Sequence, residues 1–175
     1  YGPKIDILMK DSLGRQWQMG TLQLDFQQPA RFKLQYTHKD GQVKTPISIP
    51  RVIYGSLERF IGILIEHFGG AFPVWLSPIQ VQIIPISDKH LNYGQKVLEQ
   101  LKSIHIRAEV DSRSETMQSK IRDAQAQKIP YMLIVGGREE ESQTVAVRKR
   151  GGEDLGVMKR EEFLKKINSE IEAKV

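Results

Sequence analysis

Cysteine is absent from the 175-residue chain, which excludes disulfides and thiolate metal ligands within it. Its four histidines, His38, His67, His90 and His105, show no short ligand spacing such as H-x-x-x-H, so a self-contained zinc site is not expected. No apolar run approaches the ~20 residues that span a bilayer. No basic-plus-apolar leader opens the sequence, and the expectation is a cytoplasmic protein with no membrane partner. Internal repeats and low-complexity segments are also missing. Apolar and charged fractions of 39% and 27% are those of a globular protein, with no disordered tail.

The net charge is +5, which suits a polyanionic partner without demanding one. Up to Ser77 the chain carries 9 basic and 6 acidic residues, and beyond it 17 and 15. The excess is spread, and only Arg148, Lys149 and Arg150 form a local cluster. The abrupt opening "YGPKID" suggests a fragment.

Two rhythms divide the sequence near Ser77-Pro78. Upstream, "IDILMK" and "WQMGTLQLDF" read as strands joined by the turn "DSLGRQ". A second hairpin, "FKLQYT" to "VKTPISI", turns at Asp40-Gly41. Then Leu57, Phe60, Ile61, Leu64 and Phe68 recur at helical spacing until Gly69-Gly70 ends the helix. Downstream, strands ("IQVQIIPI", "IRAEV", "YMLIVGG", "TVAVRKR") alternate with helices. One helix is capped by Ser87 and carries Leu91, Val97, Leu98 and Leu101; the next carries Met117, Ile121 and Ala124. A closing helix carries Phe163, Leu164, Ile167 and Ile171. The alternation predicts an α/β domain with a largely parallel sheet.

Arg59 stands out inside the apolar helix. None of its helical neighbours Gly55, Ser56, Gly62 and Ile63 is acidic, and Glu66 lies two turns away. A guanidinium removed from water needs a partner, and two are open: a core carboxylate, or a phosphate that its fork grips bidentately. Gly55 and Ser56 at the helix start favour an anion or a close backbone approach. Lys4 and Asp6 read equally as plain surface charges, and Gln16, Gln18 and Gln23 as ordinary strand polars. Gln18 and Gln23 are an odd number of residues apart, so a regular strand sends them to opposite faces; a bulge near Gly20 brings them together.

Taken together, "YGPKID", "WQMGTLQLDF", "GSLERFIGILIEHFGGAFPVWLSPIQV", "KIPYMLIVGGRE" and "VAVRKRGGEDLG" resemble the C-terminal part of bacterial-type threonyl-tRNA synthetases along essentially the whole chain. The resemblance implies an α+β first part, residues 1–77, ending a class II antiparallel catalytic sheet with its motif 3 helix. Residues 78–175 would be a mixed-sheet α/β anticodon-binding domain. It further implies that Arg59 contacts ATP phosphates, with Gly55 and Ser56 where the nucleotide approaches. Tyr1 would help form the threonine pocket, and Lys4, Gln18, Thr21 and Gln23 would line the pocket for threonine, adenylate and the tRNA 3′ end. Glu139 and Arg148 fall where the family reads anticodon bases, a task suited to unpaired loops. Lys149 and Arg150 would be phosphate contacts, or simply a solvated basic hairpin. ATP with Mg2+, threonine, tRNA-Thr and a second copy through the catalytic domain are the implied partners.

Three departures accompany the resemblance. The family's catalytic zinc uses a histidine of an "M-I-H-R-A" stretch, where this chain has "SIPRV" and places Pro50, which has no side-chain ligand atom. Met19 stands where "W-Q-C-G" has cysteine, and Ser114 where an asparagine is common in the anticodon-contacting loop. Three readings stay open: a threonine–tRNA ligase seen in part, with a modified or zinc-free pocket; an inactive synthetase-like paralogue serving as an RNA-binding or assembly subunit; and a truncated or engineered fragment. Residues 1–175 alone are expected not to catalyse.

Overall fold

A computed structural model describes residues 2–174, which divide into two compact units between Gly69 and Gly70. In the first unit, β1 (Lys4–Lys10) and β2 (Gln16–Gln23) pair antiparallel. Asp11 makes the turn between them: its Oδ1 accepts the main-chain N–H of Leu13 and Arg15 at 3.0 and 2.9 Å, and Gly14 takes φ +78°. The register passes from Ile7 opposite Gly20 to Leu8 opposite Gln18, so Met19 is the extra residue of a bulge. Its side chain is buried, which gives this departure from the family pattern a packing role.

Asp25 then starts α1 (Gln27–Arg31), which the sequence reading missed, by accepting the N–H groups of Gln27 and Gln28. The expected second hairpin forms at Asp40-Gly41, but only as the two-residue strands β3 (Tyr36–Thr37) and β4 (Val43–Lys44). A short β5 (Arg51–Val52) completes the sheet in the order β1-β2-β5. The helix α2 (Leu57–Phe68) has the expected bounds because both caps are local. Ser56 Oγ accepts from the Arg59 N–H, and Gly69 ends the helix at φ +56°.

The second unit holds a five-stranded sheet. In chain order its elements are β6 (Val81–Pro85), a 3₁₀ turn (Asp88–His90), α3 (Leu91–Ser103), β7 (Ala108–Val110), α4 (Met117–Ala126), β8 (Tyr131–Val135), α5 (Gly137–Ser142), β9 (Thr144–Lys149), β10 (Asp154–Lys159) and α6 (Arg160–Ala173). Ser87 precedes the 3₁₀ turn rather than α3 itself. The sheet order is β10-β9-β8-β6-β7. β6 runs parallel to β7 and β8, whereas β8–β9 and β9–β10 are antiparallel. The mixed sheet implied by the resemblance is therefore found, and the largely parallel sheet implied by alternation is not. The cause lies in α5 and β10, both missed from sequence: α5 is too short for a crossover, so β9 returns antiparallel, and Gly151-Gly152 turn the chain directly into β10.

α3 and α6 cover one sheet face, where Tyr93, Leu101, Phe163 and Ile167 pack on Ile83, Leu133 and Val147. α4 covers the other, with Ile121 and Ala124 on Ile84, Met132 and Ile134. Residues 70–77 belong to this packing. Val74 lies in the core, Gln80 Nε2 donates to its carbonyl, and the Arg107 guanidinium donates to the carbonyls of Trp75 and Ser77. The boundary between compact units thus falls upstream of the Ser77-Pro78 junction expected from sequence.

Candidate functional site

The bulge at Met19 turns Gln18 onto the face that carries Thr21. Opposite Thr21 stands Asp6, and opposite Gln23 stands Lys4. Four of these side chains join in one network: Gln18 Nε2 donates to Asp6 Oδ1 at 2.7 Å and to Thr21 Oγ1 at 2.6 Å. The Thr21 hydroxyl donates to Asp6 Oδ1 at 2.9 Å, and Lys4 Nζ lies 2.9 Å from Asp6 Oδ2. The Lys4 ammonium, with help from Thr21, holds the Asp6 carboxyl below the ordinary carboxylate range. Gln23 shares the face through its register, and its main-chain N–H donates to the Pro50 carbonyl at 3.2 Å.

Arg59 reaches the same strand from α2. Its Nη1 donates to the Gln18 main-chain carbonyl at 3.3 Å, and its Cζ stands 5.4 Å from the centre of the Trp17 ring, a cation–π platform. The ring is fixed in turn by Trp17 Nε1 donating to Asp11 Oδ2 at 2.8 Å. Burial pushes the Asp11 carboxyl up, but hydrogen bonds from Trp17 and Arg15 outweigh it and bring it down to about 2. Arg59 is exposed, not withdrawn from water as expected from the apolar helix around it. The core carboxylate expected as one of its two possible partners is not found, since among the described residues no acidic side chain pairs with it. Most of its N–H donors are left for a ligand. Gly55, at φ +64°, lies where a Cβ would come within 3.2 Å of the Gln18 carbonyl. Its small size therefore already serves the packing of the α2 entry loop on β2.

In the second unit the loops that follow the parallel strands gather at their carboxyl ends, the usual binding edge of such sheets. After β7, the loop of residues 111–116 is preorganised. Arg113 bridges Asp111 and Asp123, and the buried Lys120 donates to the Asp111 carbonyl at 3.0 Å. The Arg113 guanidinium holds the Asp111 carboxyl below its usual range. Ser114 sits exposed on that loop. After β8, Glu139 lies in α5, and its Oε2 accepts the Gly136 N–H at 3.0 Å, a helix-capping role. Neighbouring Glu140 meets His90 Nδ1 at 2.8 Å. Arg148 sits at the far end of β9, 3.4 Å from Asp154 across the hairpin.

Comparison with known proteins accounts for both units. The anticodon binding domain family matches residues 80–170. The chain belongs to the anticodon-binding domain family. Ahead of this domain, residues 1–68 match the tRNA synthetase class II core domain (G, H, P, S and T). Threonine–tRNA ligases of Desulforamulus reducens and Caldanaerobacter subterraneus subsp. tengcongensis are 55% and 58% identical over 174 residues, covering 99% of this chain and 27% of each ligase. The chain thus spans about a quarter of the length of these relatives. The crystal structure of the RNA binding domain of threonyl-tRNA synthetase from Cryptosporidium parvum Iowa II superposes with a TM-score of 0.85 at 38% identity, over 97% of this chain and 43% of that one.

Within this framework the structure brings Lys4, Gln18, Thr21 and Gln23 onto one face and ties Arg59 to it through Gln18. Tyr1 lies outside the described residues. In the anticodon-binding domain, Glu139 and Arg148 are not brought together: they stand toward opposite ends of β9, so each would meet a different part of a ligand. Arg150 is a structural clamp, with Nη1 donating to the carbonyls of Phe72 and Lys128 at 2.8 and 2.9 Å. Lys149 has no side-chain hydrogen bond among the described residues and stays available. Zinc does not fit the residues present: Pro50 offers only a carbonyl, already taken by Gln23, and no three His, Cys, Asp or Glu side chains converge among the described residues. Among the described residues, no helix is long and apolar enough to cross a membrane. Asp6, Asp11 and Trp17 were missed from sequence as organisers of the site; their signal was slight, Asp6 and Trp17 lying on a strand pair whose register periodicity does not encode and Asp11 in the turn between the strands.

Proposed function

We propose that this chain forms the end of the catalytic site and the tRNA-reading domain of a threonine–tRNA ligase. The observation that carries this reading is Arg59: an exposed guanidinium without a carboxylate partner, held on Trp17 and hydrogen-bonded to the residue that anchors the polar face of β1 and β2. The similarity to threonine–tRNA ligases along both units supports it. In this reading the threonine carboxylate attacks the α-phosphate of ATP, and pyrophosphate leaves. The 3′-terminal ribose hydroxyl of tRNA then attacks the adenylate carbonyl and displaces AMP. Arg59 stabilises the phosphate charge that develops in the first step. Magnesium would accompany ATP as its counter-ion. The anticodon-binding domain reads tRNA-Thr through Glu139 and Arg148, with Lys149 on a phosphate, and the whole ligase works in the cytoplasm as a homodimer joined through its catalytic domain.

The test is ATP–pyrophosphate exchange by the longest natural polypeptide containing these residues, offered threonine, serine and valine. Exchange dependent on threonine supports the reading. Pro50 favours either of the other readings, an inactive paralogue that keeps only RNA binding or a truncated or engineered fragment. A folded natural protein that binds tRNA but exchanges none of the three amino acids would establish the paralogue.

A further inference from the structure

Asp6 has no part in the reaction proposed above, yet it receives three side chains of the site, those of Lys4, Gln18 and Thr21. A carboxylate held ionised beside Lys4 accepts hydrogen bonds and donates none. The group of Gln18 that meets Asp6 Oδ1 at 2.7 Å must therefore be the amide nitrogen, which settles the orientation of the carboxamide chemically. Its second N–H is spent on Thr21 Oγ1, and the Thr21 hydroxyl proton is spent on Asp6. Gln18 Oε1 is an acceptor with no partner among the described residues. Lys4, whose ammonium is anchored on the same Asp6 carboxylate through Oδ2, keeps further N–H donors. An acceptor next to a cationic donor complements a zwitterion, an ammonium on one side and a carboxylate or acyl phosphate on the other. The Gln18 main-chain carbonyl meanwhile holds Arg59, so one residue sets the spacing between the amino-acid and phosphate ends.

We propose that Asp6 is a positioning residue: by taking the amide nitrogen of Gln18 it presents Gln18 Oε1 to the ammonium or hydroxyl of an α-amino acid, while it aims Lys4 at the carboxyl end. This rests on the amino-acid-activating reading above. With Asp6→Asn the partner can donate as well as accept, the Gln18 carboxamide is free to turn over, and Lys4 loses its anchor. Asp6 and Gln18 are on the surface of β1 and β2, so the nearly isosteric change leaves the fold intact.

The experiment uses the longest natural polypeptide carrying this chain and has two arms. In pyrophosphate exchange, Asp6→Asn raises the KM for the amino acid about tenfold or more, the scale of a hydrogen bond to a charged group, while the KM for ATP stays within about twofold. Adding Asp6→Asn to Gln18→Ala then costs far less than adding it to wild type, because the two act as one unit. An unchanged amino-acid KM, or full additivity with Gln18→Ala, overturns the inference. The second arm needs no activity: the side-chain amide resonances of Gln18 lose their distinct shifts in Asp6→Asn. Gln18 resonances that do not move overturn the inference even where exchange is normal. Absence of exchange in wild type sinks the ligase reading instead, and leaves the positioning role to this arm.

Discussion

At the scale of single residues, the site is organised by two carboxylates: Asp6, which in the sequence reads as a plain surface charge, and Asp11, which there is only part of a turn. Asp11 holds the β1–β2 turn and the Trp17 indole on which Arg59 stands. Its folded pKa, about 2, lies below the ordinary value of about 3.8. The stabilisation it contributes is therefore complete above about pH 4 and is lost as pH falls through about 2. The Trp17 indole N–H resonance should shift with a midpoint near 2, and a midpoint near 4 would show the contact to be ineffective. Arg59→Ala should abolish adenylate formation in the longest natural polypeptide while leaving its melting temperature nearly unchanged, because the side chain is exposed. Wild-type exchange in that variant would remove Arg59 from the chemistry. These roles were partly legible: Arg59 was conspicuous in an apolar helix, although the reason given, burial, was mistaken. Asp6, Asp11 and Trp17 were not, because their meaning comes from cross-strand register and a one-residue bulge that periodicity does not encode.

At the scale of elements, those with local signals were read well. α2 carries its own caps in Ser56 and Gly69, and the hairpin turn carries Asp40-Gly41. α5 and β10 lacked such signals: α5 is a single acidic turn that starts at glycine, and β10 is interrupted by Gly156 and a bulge at Leu155. The hairpin of β9 and β10 separates two neighbouring arginines by task. Arg150→Ala removes two hydrogen bonds to main-chain carbonyls and should destabilise the second unit by about 1–3 kcal/mol, a loss of several degrees in melting temperature. Its affinity for a threonine anticodon stem-loop should barely change under stabilising conditions. Arg148→Ala should do the reverse, weakening the threonine anticodon loop more than a scrambled loop. Equal losses for both loops would reduce Arg148 to a phosphate contact.

At the scale of the whole molecule, the two units differ in how much core they own. The second unit buries both faces of its sheet, with Leu133, Tyr131, Leu101 and Ile167 fully enclosed. Leu133→Ala should cost about 2–5 kcal/mol. In the first, Met19 is the one large apolar side chain buried among the described residues, whereas Ile5, Leu57 and Ile61 are more than half exposed. Residues 70–175 alone should accordingly unfold in one cooperative transition, and residues 1–69 alone should show none. The proposed division of labour, tRNA reading in one unit and part of amino-acid activation in the other, is tested most directly by threonine charging of tRNA. The measurement uses the longest natural polypeptide, as wild type, Arg59→Ala and Arg148→Ala, with tRNA concentration varied. The account predicts charging by wild type, none at any tRNA concentration for Arg59→Ala, and charging by Arg148→Ala that recovers when tRNA is raised. Wild type that binds tRNA but never charges it, or an Arg59→Ala variant that charges normally, would contradict it.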